Sequence, residues 1–219
     1  MPGFYRDSRN VYRCEAMAAL PWLEHGFGTR HSEAWTPGES LVRLKQIHSD
    51  VVVTADGEPG CIGAADGMIS THAGLMLTIR TADCVPVLVV DPVRRAVAAV
   101  HAGWRGTAAM IVPKAVARMV VQFGTSPLDL MVAIGPSIRS CCYEVGAEVA
   151  AKFTRWTGTS AWLDLVAVNA AQLEALRIPQ DQIHRIGLCT KCGEGEFHSF
   201  RRDGVEAGRM DSSIGIRSL

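Results

Sequence analysis

Two unbroken apolar runs organise the hydrophobic pattern, residues 85–90 and 96–100. Asp91-Pro92 separates them, so they read as two buried strands joined by a turn. Cys84 enters the first run and His101 leaves the second. If the strands pair antiparallel, the start of one lies beside the end of the other. The Cys84 thiol then approaches the His101 imidazole.

The rest of the chain reads as follows. Residues 26–30 form a short strand with Arg30 at its exit, and 31–40 a polar loop. Residues 41–48 alternate imperfectly and predict a strand ending in Lys-Gln-Ile-His. A β-branched strand follows at 51–54, a Gly, Asp and Pro-rich loop at 55–66, and strands at 67–70 and 75–81. Beyond Gly106 the period changes. Ile111, Ala115, Met119 and Val120 follow helical spacing, with Gly124 as the stop and Pro113 in the first turn or at a kink. A strand at 128–134 closes on Gly135-Pro136, and Cys141-Cys142-Tyr143-Glu144 sits on the next turn. Helices are expected at 146–156 and 165–176, a strand at 183–188, a hairpin over 197–209 around Asp203-Gly204, and a short strand at 214–216. Strands in hairpin-like succession with helices later argue for an α+β fold with largely antiparallel sheets. No linker divides the chain, so residues 1–219 are expected to form one domain.

Composition narrows the function. The 219 residues carry 22 basic and 22 acidic side chains, a formal charge of zero. Nucleic-acid binding needs net or clustered positive charge, so no nucleic-acid partner is expected. The first ten residues lack the apolar stretch of a signal peptide, and no run is long enough to span a bilayer. A cytoplasmic chain without a membrane partner is the expectation. Its seven cysteines then read as thiols or ligands rather than disulfides. Nothing in the pattern bears on oligomeric state.

His48, Cys84 and His101 each end or begin a predicted strand. Two imidazoles and a thiolate make three ligands, which leaves a fourth zinc position open. The plainer reading is a buried thiol with two hydrogen-bonded histidines. Cys84 could also be a histidine-activated nucleophile, with Asp83 orienting the histidine, acting as a base, or simply capping a turn. Arg30, Arg80, Arg105 and Arg201-Arg202 suit an anion such as phosphate. Arg105 precedes a helix N-terminus, which favours anions, while Arg201-Arg202 also reads as an exposed hairpin turn. Cys189-Thr-Lys-Cys192 is a CxxC. Its only nearby companion, the adjacent pair Cys141-Cys142, is poor geometry for a structural zinc, so core or loop cysteines are expected. Asn169 on its helix reads as a surface residue. The glycines match neither a P-loop nor a dinucleotide fingerprint.

Longer motifs resemble a known family. Thr81-Ala-Asp-Cys-Val-Pro-Val, Ala99-Val-His-Ala-Gly-Trp-Arg-Gly-Thr, Gly135-Pro-Ser-Ile with Cys142-Tyr-Glu-Val, Ser199-Phe-Arg-Arg-Asp-Gly and Lys45-Gln-Ile-His48 are similar to those of the YfiH-type laccase-domain family. That family is also called polyphenol oxidase and includes the peptidoglycan editing factor. Asn169 with Gln172-Leu173, and Cys189-Thr190, match weaker motifs. The resemblance implies an α/β/β/α sandwich with zinc on His48, Cys84 and His101, copper being the other candidate metal. It implies phosphorolysis of adenosine, inosine and methylthioadenosine, with adenosine deamination beside it. Catalytic roles would fall on Cys84, His101 and Asp83, and substrate binding on Arg30, Arg105, Asn169 and Arg201. The runner-up is a peptidoglycan-precursor editing hydrolase using Cys84 or zinc. A non-enzymatic scaffold is disfavoured by the intact ligand set. A copper oxidase is disfavoured because the seven histidines include no His-x-His pair. Residues 31–41 lack the family's Gly-Gly and Asn-Leu-Gly-rich segment, and His198 replaces its usual aromatic residue.

Overall fold

A computed structural model describes residues 3–32, 35–36 and 38–218. Part of the loop expected at 31–40 (Glu33, Ala34 and Pro37) lies outside them. The strands are β1 Phe4–Arg6, β2 Val11–Cys14, β3 Leu23–Gly28, β4 Leu41–Lys45, β5 Val52–Thr54, β6 Gly60–Ala64, β7 Gly67–Ser70, β8 Met76–Thr81, β9 Val85–Asp91, β10 Ala96–Ala102, β11 Met131–Ile134, β12 Ile183–Arg185 and β13 Met210–Ile216. They form two mixed sheets. One has the order β1-β2-β3-β13-β8-β4-β6, the other β12-β11-β9-β10-β7-β5. Antiparallel pairs predominate, but β4 runs parallel to β6 and β8, β5 to β7, and β11 to β12. The expected α+β class holds.

The period-two alternation of β9 and β10 sets the layers. Leu88, Val90, Val97 and Ala99 face Leu77, Ile79 and Ile214 of the other sheet. Val87, Val89, Ala98 and Val100 face outward, onto Ile111, Ala115 and Met119 of the Ile111–Phe123 helix and Val166, Ala170 and Leu173 of the Leu165–Ala175 helix. Both strands are therefore buried on two faces, which is why they read as continuous apolar runs. Gly124, at φ +67°, caps the first helix, and Pro113 lies in its first turn, where a missing N–H costs little.

Several expected bounds shift, each for a local reason. The strand at 41–48 stops at Lys45, because the N–H groups of residues 47–49 turn toward a buried carboxylate. The loop at 55–66 contains β6, a mostly exposed edge strand with no apolar alternation. The strand at 128–134 begins as a 3-10 turn, Pro127–Asp129. The helix at 146–156 is broken into Ala147–Ala150, Ala151–Phe153 and Thr154–Thr157. The strand at 183–188 ends at Arg185. No hairpin forms over 197–209. Ser199 instead caps the helix Phe200–Asp203, accepting from Arg202 N, and Gly204 at φ +60° ends it. The strand at 214–216 is the end of the longer β13. No helix among the described residues is long and apolar enough to cross a membrane.

One buried histidine of the seven-stranded sheet tunes stability. His25 on β3 is 2% exposed, and its Nε2 accepts the Cys14 N–H at 2.9 Å. Burial, with the Arg13 charge nearby, pushes its pKa down from 6.5 to about 3. Between those values the unfolded chain binds the extra proton. The stability His25 contributes is thus complete above pH 6.5 and is lost as pH falls toward 3. At pH 5 the loss is ~2 kcal/mol, 1.5 pH units at about 1.36 kcal/mol each. His25→Gln keeps an acceptor for Cys14 but cannot titrate, so its melting temperature should fall less steeply than wild type between pH 6.5 and 4. Parallel slopes in thermal melts across that range would refute this.

Candidate functional site

The β9–β10 hairpin pairs His101 with Pro86 and Ala102 with Val85, so Cys84 emerges beside His101 as the sequence predicts. Continuing the alternation, both side chains belong to the face turned toward the other sheet. The site therefore lies at the rim where the two sheets meet. His48 arrives from the turn after β4. The ligand atoms of His48, Cys84 and His101 lie within 4.8 Å of one another. The two imidazoles meet edge to face, with ring centroids 4.9 Å apart. Gly103 makes the approach possible: a Cβ there would stand 3.1 Å from Cys84 Sγ and 3.2 Å from His48 Cδ2.

Asp66, at the end of the loop expected at 55–66, holds this set together. It is fully buried just before β7. Its Oδ1 lies 2.8 Å from His101 Nδ1 and accepts His48 N at 3.1 Å. Its Oδ2 accepts Ile47 N at 3.2 Å, Ser49 N at 2.6 Å and Ser49 Oγ at 2.7 Å. The backbone carbonyl of Asp66 also accepts His101 N at 2.7 Å. With Nδ1 committed to Asp66, the His101 Nε2 is the nitrogen left to bind a metal or substrate. His48 takes φ +58° to complete the turn.

Charge follows from these contacts. Burial alone would raise the Asp66 carboxyl, but hydrogen bonds from His101 and Ser49 bring it to about 2. Burial would lower His101, yet Asp66 and Cys84 hold it up at about 9. Burial would raise the Cys84 thiol, and the two histidines outweigh that, bringing it to about 6. The two histidines thus favour the thiolate form of Cys84, the form that binds a metal. Two imidazoles, one ready thiolate and a carboxylate behind one histidine suit zinc, and the donor set accommodates copper as well.

The set lines a cleft of about 610 Å³. Arg80 and Arg209 enter it from the seven-stranded sheet, Arg105 and Arg201 from the helices Trp104–Ala108 and Phe200–Asp203. Trp104, Tyr143 and Phe200 add aromatic surface. Arg105 lies over the Trp104 ring at 4.3 Å and Arg201 over Tyr143 at 5.1 Å. Burial and the Cys84 charge push the Tyr143 phenol up to about 12, so it stays a hydrogen-bond donor at neutral pH. Arg209 had no distinguishing signal in the sequence.

The other expected site residues are placed differently. Asp83 lines the cleft, but its carboxylate accepts Thr190 Oγ1 at 2.6 Å, Ser199 Oγ at 3.1 Å and Arg201 N at 2.6 Å. It ties two loops to the start of β9. Asn169 is not a surface residue. It is fully buried and donates to Thr107 Oγ1 at 3.1 Å and Leu165 O at 2.7 Å, bracing the helix that carries Arg105. Arg30 is exposed, donates to Glu194 O at 2.9 Å, and does not line the cleft.

Known proteins resemble this chain in sequence and in fold. A family profile described as multi-copper polyphenol oxidoreductase laccase matches residues 29–217. A purine nucleoside phosphorylase of Clostridium acetobutylicum is 34% identical over 192 residues, 84% of this chain and 80% of that protein. An adenosine deaminase from an unknown prokaryotic organism is 33% identical over 198 residues, 80% of this chain and 75% of that protein. The crystal structure of YlmD from Geobacillus stearothermophilus superposes with a TM-score of 0.89 at 28% identity, covering 99% of each chain. That of YfiH from Bacillus licheniformis gives 0.89 at 29%, covering 99% of this chain and 100% of the other. With the motif-bearing hairpin, the two-sheet fold and these matches in agreement, the chain belongs to the YfiH-type laccase-domain family, the one described as multi-copper polyphenol oxidoreductase laccase.

Proposed function

We propose that this chain is a zinc-dependent purine nucleoside phosphorylase acting on adenosine, inosine and methylthioadenosine, with adenosine deamination as a side activity. The observation that carries the reading is the cleft itself, a His48/Cys84/His101 floor beneath aromatic walls and four arginines. Relatives named for each of the two activities support it.

His48, Cys84 and His101 would hold the metal. When bound, zinc supplies a Lewis acid at the floor of the cleft. Arg105 and Arg201 hold phosphate, whose charge and fork geometry suit guanidinium. Trp104, Tyr143 and Phe200 offer flat apolar surface to the purine. A phosphate oxygen attacks C1′ of the ribose while the C1′–N9 bond breaks. The base leaves with the bonding electrons and takes up a proton, and the sugar leaves as its 1-phosphate. The Tyr143 phenol, on the wall of the cleft, would donate a hydrogen bond to the departing base. Asp83 acts as a positioning residue, because its carboxylate is committed to Thr190, Ser199 and Arg201.

Zinc-loaded protein given adenosine and inorganic phosphate should release adenine and ribose 1-phosphate, and should release no adenine when phosphate is omitted. Ammonia without free base would reassign the main activity to deamination. No turnover of any purine nucleoside would end the proposal. The lowered Cys84 thiol is also what a nucleophile requires. A peptidoglycan-precursor hydrolase is therefore the second reading, tested by amino-acid release from a UDP-linked muropeptide.

A further inference from the structure

Away from the cleft floor, the fold gathers four thiols that are distant in sequence. Cys141 and Cys142 lie on the turn that follows β11, Cys189 and Cys192 on the loop that follows β12. Their sulfur atoms all lie within 4.8 Å of one another. Cys192 Sγ is 3.6 Å from Cys141 Sγ and 3.3 Å from Cys142 Sγ. Four thiolates bound to zinc at about 2.3 Å stand at the corners of a tetrahedron with edges of ~3.8 Å. The two Cys192 contacts fall a few tenths of an ångström inside that edge, and no pair of the four is farther apart than 4.8 Å.

The adjacent pair Cys141-Cys142 looked unsuited to a structural metal from spacing alone. The backbone removes the difficulty. Arg139 O accepts both Cys142 N at 2.8 Å and Tyr143 N at 2.9 Å, a tight turn that brings both thiols to Cys192. A parallel bridge between Ser137 and Cys189 holds the two loops side by side. Gly193 N donates to Cys189 O at 2.9 Å and closes the CxxC turn.

We propose that Cys141, Cys142, Cys189 and Cys192 form a second metal site, a tetrathiolate that holds one structural zinc ion. Four protein ligands leave no open position, so the role is structural rather than catalytic. Soft sulfur donors select zinc over calcium or magnesium. Binding releases the thiol protons, four for each zinc if all start protonated. The ion would fasten the two loops that wall the cleft. Tyr143, next to Cys142, lines that wall, and Thr190, next to Cys189, donates to Asp83. Arg202 adds a third tie, donating to Thr190 O and Lys191 O, each at 3.3 Å.

The test counts metal and does not depend on turnover, so it stands or falls apart from the phosphorylase reading. Protein purified with reductant is stripped and reloaded with zinc or cobalt alone. Native mass spectrometry should find two zinc ions on wild type, one on Cys84→Ala, one on Cys192→Ser and none on the double variant. Cobalt on Cys84→Ala should show the sulfur-to-metal charge-transfer bands and intense d–d bands of four thiolates. Circular dichroism confirms that each variant is folded, and a serine at exposed Cys192 should be tolerated. Full metal content in Cys192→Ser would overturn the proposal. So would a cobalt spectrum of fewer than four sulfurs, or a disulfide among the four cysteines in the reduced, zinc-saturated protein.

Discussion

Cys84→Ala is expected to fold normally and to lose about 10³-fold in kcat/KM for phosphorolysis of adenosine. The residue sits at the mouth of β9, outside the contacts that join the two sheets, and the change removes a single sulfur. Asp66 still anchors His101 Nδ1 and the His48 backbone, so the fold should be retained. The change costs the site its one sulfur ligand, the side chain that faces both His48 and His101. With two imidazoles left, zinc should be held too weakly to survive dialysis. A Lewis acid supplies several kcal/mol of transition-state stabilisation, and ~4 kcal/mol is about a thousandfold in rate. Initial rates of adenine release, with bound zinc measured on the same samples, check this. Turnover that persists after the zinc is gone would show that neither Cys84 nor the metal carries the chemistry.

Asp66→Ala should be the most destabilising single change in the site, lowering the unfolding free energy by about 3–5 kcal/mol. One carboxylate there accepts from Ile47 N, His48 N, Ser49 N, Ser49 Oγ and His101 Nδ1. Alanine would leave those donors with no acceptor in a fully buried place. Asp66→Asn is the companion variant if alanine does not fold. Its amide must turn NH₂ toward one group of donors, so it should fold less stably and bind zinc about 10- to 100-fold more weakly. Urea unfolding and zinc competition against a chelator measure the two effects. An Asp66→Ala protein with wild-type stability and zinc affinity would show that this network is incidental.

The hairpin and its two ligands were legible because β9 and β10 are buried on both faces and carry uninterrupted apolar runs. Adjacent antiparallel strands then convert sequence position into proximity. Asp66 was illegible because its role comes from five donors on other segments, while in sequence it stands alone between Ala65 and Gly67 with no other ligand-type residue beside it. β13 was under-read for a different reason. Ser212, Ser213 and Gly215 interrupt its apolar pattern: Ser213 hydrogen-bonds Thr78 across the sheet, and Gly215 has no room for a side chain. A Cβ on Gly215 would stand 2.3 Å from Leu75 O. Asn169 looked exposed because helical pattern alone does not tell a buried polar brace from a surface amide; its partner Thr107 lies 62 residues away. Cys141 and Cys142 were set aside on spacing, and only the Arg139 turn shows how neighbouring thiols reach one point.

The place of β13 bears on how the protein is made. This late strand sits between β3 and β8, so it divides β1-β2-β3 from β8-β4-β6 until it inserts. The six-stranded sheet contains nothing later than β12 and can assemble first, with Asp66, Cys84 and His101 already in it. On a ribosome adding about 5–20 residues per second, domains fold as their chain emerges, and pairings far apart in sequence are slow to close. Two of the three ligands, Cys84 and His101, and the carboxylate that anchors His101 would then be in place while half of the cleft was missing. Arg209 precedes β13, and Arg80 lies at the end of its neighbour β8, so the wall of the cleft on that side is built last. Until that strand docks, a nascent chain exposes the apolar faces of two unfinished half-sheets, the period in which it has most to gain from a chaperone.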